Sequence, residues 1–268
     1  MPSRVPVVAL LLGIMALAMM IPAVQAVSDG AWKSARGFFY PAAFGAFLAA
    51  ALGVILAPVR ERDTPQQELM LLLLVWLILP VYAAIPVYLL TPHVGAVGAW
   101  FEMVAALTTT GGSIFTKASE VPAAIQLWRG MCGWMGGLLT LLAAYVVLAP
   151  RRLGGYEILA AADGLSDART VDLRVTGAGF ISRTERALRT ILPVYLGLTV
   201  ILAILFSALG KPGTIAAVHA MSIVSTSGIS PIDGGMASLG SFWVELVALI
   251  GFILAANRLL YSRASAGG

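Results

Sequence analysis

The stretch MVAALTTTGGSIF, Met103 to Phe115, sets three threonines and two glycines in a row between segments far more apolar than they are. The chain around it has 268 residues, of which 59% are hydrophobic and only 11% charged, where a soluble domain carries about 25% charged residues. That composition marks an integral membrane protein. Six apolar runs reach the roughly 20 residues a helix needs to cross the hydrocarbon: Val5–Val27, Gly37–Val59, Leu69–Thr91, Ile125–Leu148, Arg189–Gly210 and Phe242–Tyr261. Two further pieces, Val97–Leu107 and Ile215–Val224, are too short to reach across. The polar stretch comes directly after the first of these.

An apolar helix of about ten residues covers roughly 15 Å, half the hydrocarbon, so it must enter and turn back. Non-helical backbone at that depth survives only inside protein or along a water-filled cavity, since lipid leaves its amide groups unpaired. Glycine there opens backbone conformations with positive φ, and Thr or Ser hydroxyls supply further oxygens. A row of inward carbonyls is what replaces the water shell of an alkali cation in a selectivity filter. The half-helix ends at Leu107, and its C-terminal partial negative charge faces the same place. No acidic side chain lies within Thr108–Gly112, which favours a weakly held monovalent ion over a chelated divalent one.

Internal repetition strengthens this reading. WFEMVAALTTTGGS (Trp100–Ser113) lies over AVHAMSIVSTSGIS (Ala217–Ser230) with a constant offset of 117, pairing Glu102 with His219, Thr109 with Thr226, Gly111 with Gly228 and Ser113 with Ser230. ILPVY also occurs in both leading spans, at Ile78–Tyr82 and Ile191–Tyr195. The unit is span, half-helix, small polar turn, span, present twice. The expected fold is an all-α membrane protein of about six transmembrane helices and two re-entrant loops. Its parts are an N-terminal two-span addition (1–68), a first pore repeat (69–150), a cytoplasmic loop (151–188) and a second pore repeat (189–268).

Charge placement sets the orientation. With the N-terminus inside, 12 arginines fall on the cytoplasmic side (Arg4, Arg60, Arg62, Arg151, Arg152, Arg169, Arg174, Arg183, Arg186, Arg189, Arg258, Arg263) against 4 cations outside (Lys33, Arg36, Lys117, Lys211). That positive-inside bias supports N-in, C-in, and it removes the net charge of +4 as a sign of nucleic-acid binding. The start, with AVQA before Val27, has a rival reading as a cleaved signal, although its apolar run exceeds the usual 7–15 residues of a signal core. The single cysteine, Cys132, excludes an internal disulfide.

At this point FEMVAALTTTGGS (Phe101–Ser113), LWRGMCGWMGGLLTLL (Leu127–Leu142) and AVHAMSIVSTSGIS resemble the Trk/Ktr/HKT cation transporters, and among them the bacterial TrkH subunits. The resemblance implies four span–half-helix–span repeats around one pore, each with a central filter glycine, here Gly111 and Gly228. The candidate cation-coordinating residues are then Thr108, Thr109, Thr110, Gly111 and Gly112 with Ser225, Thr226, Ser227, Gly228 and Ile229. It also implies potassium as the transported substrate, the cytoplasmic membrane of a bacterium, and gating with a TrkA-type cytoplasmic nucleotide-binding subunit. No covalently bound cofactor is expected. In related transporters a serine at the first filter glycine goes with sodium, so Gly111 leans toward potassium. Two departures stand out: the second block reads TSGIS where relatives usually carry Gly-Gly-Phe, and only two of four repeats are present. A homodimer, a second half-subunit and a truncated, non-conducting fragment remain open as accounts of the other two.

Other residues are weighed beside these. Glu102, an intramembrane carboxylate, is a functional candidate by default and is read as a support for the filter loop. Arg129 is read as an interface anchor or as the partner of Glu102 or Glu120. His219 is read as a hydrogen-bonded core residue, and Gly133, Gly136 and Gly137 as places of close helix packing. A hydrolase using Ser225 or Ser227 with His219 needs a base in hydrogen-bond reach; the first copy, with Glu102 and Thr110, argues against it.

Overall fold

The computed structural model describes residues 7–56, 65–148, 180–239 and 241–256. Among them nine α-helices run in order: α1 (Val7–Ala18), α2 (Met20–Ser28), α3 (Trp32–Leu56), α4 (Pro65–Leu90), α5 (Gly95–Leu107), α6 (Ala123–Ala143), α7 (Phe180–Ala208), α8 (Gly213–Ser225) and α9 (Phe242–Ala256). The described residues include no strand.

Local chemistry accounts for the breaks. Pro22 has no N–H to give the Ala18 carbonyl, so the first run divides into α1 and α2 at Met19. The Met19 amide still bonds Met15 and the Ala23 amide bonds Met19, so Val7–Ser28 remains one span. Pro122 and Pro212 stand immediately before α6 and α8 in extended backbone, where a proline starts a helix without losing a bond. At its far end α6 loosens into a π-helical turn, Ala144–Leu148.

Five helices among the described residues are long and apolar enough to cross a membrane: Val7–Ser28, Trp32–Leu56, Leu69–Leu90, Ala123–Val147 and Ser182–Ala208. The sixth expected span, Phe242–Tyr261, is described only as the 15-residue α9, and residues 257–268 lie outside the described set. Most of the expected cytoplasmic loop, 151–179, lies outside it as well. The helical piece expected from Ser182 is the start of α7.

α6 is the axis of the molecule. It packs on α5 and on α8, with α7 behind α8, while α1 and α2 lie along α3, and α4 against α5. Just over half of the α6 span is buried (56%), against 17% for α3, whose Phe47 and Val54 are more than two-thirds exposed. So broad an apolar exterior suits lipid, not water. Two apolar clusters form. One joins α1–α6 and includes Trp128 and Met103; the other joins α7–α9 around Tyr195 and Phe206.

Candidate functional site

The two short helices end in the same way, residue for residue at the offset of 117. In the first, the Thr109 amide bonds Ala106 and the Thr110 amide bonds Ala105, both at 3.0 Å. In the second, the Thr226 amide bonds Ile223 at 3.1 Å and the Ser227 amide bonds Ser222 at 3.0 Å. This paired closure is the Schellman motif, whose turning residue takes the left-handed conformation. At the ends of α2 and α7 that residue is glycine, Gly30 (φ 68°) and Gly210 (φ 80°). At the ends of α5 and α8 it is threonine, Thr109 (φ 56°) and Thr226 (φ 54°), and no other described non-glycine residue has positive φ. A Cβ in that region costs about 1–2 kcal/mol, more readily tolerated where function constrains the backbone.

Two residues beyond each strained threonine the chain turns again through Gly111 and Gly228, both at φ 69°. Hydroxyls repeat too. Thr108 Oγ1 donates to the Val104 carbonyl at 2.7 Å and lies 3.3 Å from Thr110 Oγ1; Ser225 Oγ donates to Met221 at 2.8 Å and lies 3.0 Å from Ser227 Oγ. The two copies also touch. A Cβ on Gly111 would fall 2.3 Å from the Ser227 carbonyl oxygen and 3.8 Å from the Gly228 Cα. The structure therefore sets the ends of the two short helices and the turns after them, where the ten sequence-chosen residues lie, side by side at Gly111 and Ser227. A cavity of about 170 Å³ beyond the two glycines is lined by Gly111, Ser113, Gly228, Ser230 and Asp233. Asp233 accepts the Ser119 amide at 3.2 Å, and the Ser119 hydroxyl and amide hold its carboxyl below the usual carboxylate range.

The glycines of α6 permit this closeness. Added Cβ atoms would meet the Leu107 carbonyl oxygen at 1.9 Å from Gly136, Ser225 Cβ at 2.8 Å from Gly137, and Ser227 Oγ at 3.0 Å from Gly133. One helix face thus seats the end of α5, the end of α8 and the second strand. Trp134 Nε1 donates to Thr199 at 2.9 Å and Tyr195 donates to the Trp134 carbonyl at 2.9 Å, tying α6 to α7 at the same level.

Behind the first strand lies a buried polar cluster. Arg129, 5% exposed, pairs through Nε with Glu102 Oε1 at 2.5 Å; Glu102 is 1% exposed. Arg129 also donates to Gln126 Oε1 at 2.7 Å and to Ser113 Oγ at 2.9 Å. Glu102 accepts the Ser113 hydroxyl at 3.0 Å and the Ile114 amide at 3.0 Å, while Ser113 Oγ accepts the Phe115 amide at 3.1 Å. Glu120, the other acid considered for Arg129, pairs with Lys117 instead. Removing one member of such a pair leaves a buried charge and costs about 3–5 kcal/mol.

In the second copy His219 takes the place of Glu102. Its Nε2 lies 3.2 Å from Ser230 Oγ and its Nδ1 2.9 Å from the Ile215 carbonyl, while the Ile232 amide donates to Ser230 at 3.3 Å. The pairing of His219 with Ser225 or Ser227 that a hydrolase needs does not form. What sequence reading missed is why a histidine suffices. The counterpart of Ile114 is Pro231, which has no N–H, so a single acceptor for Ser230 replaces the carboxylate. The signal was present in that proline.

Known proteins resemble the chain along the same lines. A family model described as "Cation transport protein", TrkH, matches residues 42–258. The chain is 27% identical over 271 residues to the Trk system potassium uptake protein TrkH of Vibrio parahaemolyticus, covering 99% of this chain and 53% of that protein. It is 28% identical over 179 residues to the Trk system potassium uptake protein TrkI of Halomonas elongata, covering 66% of this chain and 34% of that one. The crystal structure of the potassium transporter TrkH from Vibrio parahaemolyticus superposes with a TM-score of 0.77 at 24% identity, over 99% of this chain and 52% of that one. The chain thus spans about half the length of the TrkH relatives it matches.

Proposed function

The chain belongs to the TrkH family of cation transport proteins, and from that membership we propose that it carries half of a potassium-conducting pore across the cytoplasmic membrane. Backbone oxygens of Thr108–Gly112 and Ser225–Ile229 form two of the filter strands, each reached by a re-entrant half-helix whose C-terminal end faces the cation. The observation that carries this reading is the recurrence of one strained backbone turn, Thr109 with Gly111 and Thr226 with Gly228, in two strands that touch. The region divides as 1–68, 69–150, a cytoplasmic loop at 151–188 and 189–268, with both termini cytoplasmic and a TrkA-type regulatory subunit as the cytoplasmic partner.

Completion requires further repeats, and the two strands differ in a way that supports this. Ser225 and Ser227 are buried against α6, whereas their counterparts Thr108 and Thr110 are exposed. Gly111 abuts the neighbouring strand, whereas a Cβ on Gly228 meets nothing within 4 Å. The first strand thus has an open hydroxyl side and the second an open glycine side. In a closed ring a third strand covers Gly228 and a fourth repeat's trailing helix covers Thr108. Further repeats of the same kind supply them, whichever chain carries them. The same open sides support a second reading, a half-subunit that does not conduct by itself.

Growth at limiting potassium in cells lacking potassium uptake tests the proposal. Growth conferred by this chain alone and lost on Gly111→Ser is the expected result for a self-assembling pore. No growth, with a monomer in detergent, refutes self-assembly and leaves the half-subunit.

A further inference from the structure

We propose that Glu102 and Arg129 are positioning residues whose buried pair sets how well the first filter strand prefers potassium over sodium. The inference rests on the filter reading above and goes further, to what holds one strand in shape.

A filter made of carbonyls favours the larger ion only if its strands resist closing on the smaller one. The segment after the first filter glycine is unusually well fixed. Ser113 Oγ is saturated, giving its single proton to Glu102 and accepting from the Phe115 amide and Arg129. Glu102 also takes the Ile114 amide, so two successive peptide planes are tied to one carboxylate and one hydroxyl. Arg129 extends the tie through Gln126, whose Nε2 donates to the Ala118 carbonyl at 2.8 Å. Its guanidinium also lies 5.5 Å from the Phe115 ring centre. Charge-assisted bonds of this kind are shorter and stronger than neutral ones, and α5 and α6 anchor both ends.

Among the described residues the second strand keeps the counterpart of the Phe115 bond, the Ile232 amide on Ser230, but an imidazole stands there in place of the carboxylate. His219 makes one contact to Ser230, residue 231 is proline, and α9 holds no arginine or lysine. Two strands with the same backbone therefore have unequal supports. The stiffer is the one whose glycine, Gly111, is pressed against its neighbour. Loss of the ionic support leaves the oxygens in place for binding and loosens their spacing, so discrimination falls further than affinity.

The test uses the full chain purified in detergent, reading thermal protection by potassium, sodium and choline chlorides. The quantity is the ratio of half-protecting sodium to potassium concentrations. Glu102→Gln, Ser113→Ala and the double variant Glu102→Gln with Arg129→Gln are expected to lower that ratio about tenfold. Arg189→Gln, which opens an exposed pair with Glu185 on α7, leaves it unchanged. Ser113→Ala keeps the ion pair, and the double variant leaves no unpaired buried charge, so both remain informative where Glu102→Gln does not fold. Variants that lose thermal stability but keep the wild-type ratio reduce the cluster to a structural support and overturn the proposal. A wild-type chain protected equally by all three salts shows that its two strands alone hold no cation and overturns the proposal; the assembled pore is then tested by the growth assay.

Discussion

Gly136→Ala adds one methyl group at one of the closest approaches in the protein. The added Cβ falls 1.9 Å from the Leu107 carbonyl oxygen, 2.6 Å from its carbonyl carbon and 2.8 Å from its Cα. All three are backbone atoms, so no rotamer change relieves the overlap. Restoring ordinary contact requires α6 and the end of α5 to separate by about 1.5 Å. Overpacking of this kind costs about 1–3 kcal/mol, and a chain of this size loses about 2–4 °C of melting midpoint per kcal/mol. We expect Gly136→Ala to lower the midpoint of the detergent-purified chain by several degrees. Because Leu107 leads directly into Thr108, any cation protection should fall with it. Gly137→Ala, facing Ser225 Cβ at 2.8 Å and the Tyr195 hydroxyl at 2.6 Å, should be milder, and Gly133→Ala, facing side-chain atoms at 2.9–3.0 Å, milder still. Gly197→Ala in α7 is the control: nothing lies within 4 Å, so alanine should stabilise by about 0.5–1 kcal/mol through helix propensity. A Gly136→Ala midpoint at or above wild type would show that α6 does not seat the half-helix.

Gly111→Ala and Gly228→Ala share the strain of φ 69°, but only the first also strikes the Ser227 carbonyl. In the isolated chain Gly111→Ala should cost more; equal losses would indicate that another strand already covers Gly228. Tyr82→Phe removes a buried bond of 2.8 Å to the Pro41 carbonyl and should lower stability by about 1 kcal/mol, readable as a midpoint shift. Asp233→Asn should speed hydrogen exchange of the Ser119 amide. Because its carboxyl is held below the unfolded value of about 3.9, the wild-type contact is full above that pH. It is lost only as pH falls through the lower, folded value, so protection that disappears at pH 6 refutes the assignment.

The candidate strands were legible because their chemistry is local. A half-length helix, a threonine turn and a glycine recur at a fixed offset, and the backbone repeats them at the same dihedrals. The buried cluster was legible only in part. Glu102 stood out as a carboxylate in an apolar helix, but two acids competed for Arg129. The choice depends on three elements meeting: α5 brings Glu102, α6 brings Arg129 and Gln126, and the segment between them brings Ser113. The role of the α6 glycines was visible as close packing, while their partners were not. GxxGG spacing states that something approaches one helix face, not that both half-helix ends do.

Composition and periodicity by themselves determined that this chain lies in a membrane and that it carries one unit twice, because burial in lipid and turn formation depend on near neighbours in sequence. Tertiary structure decided which strand is braced by an ion pair and which by an imidazole, that Gly111 presses on Ser227, and that Gly228 and Thr108 face outward. Those outcomes depend on distances between residues 11 to 116 positions apart. Such distances are set only when α6 packs between α5 and α8.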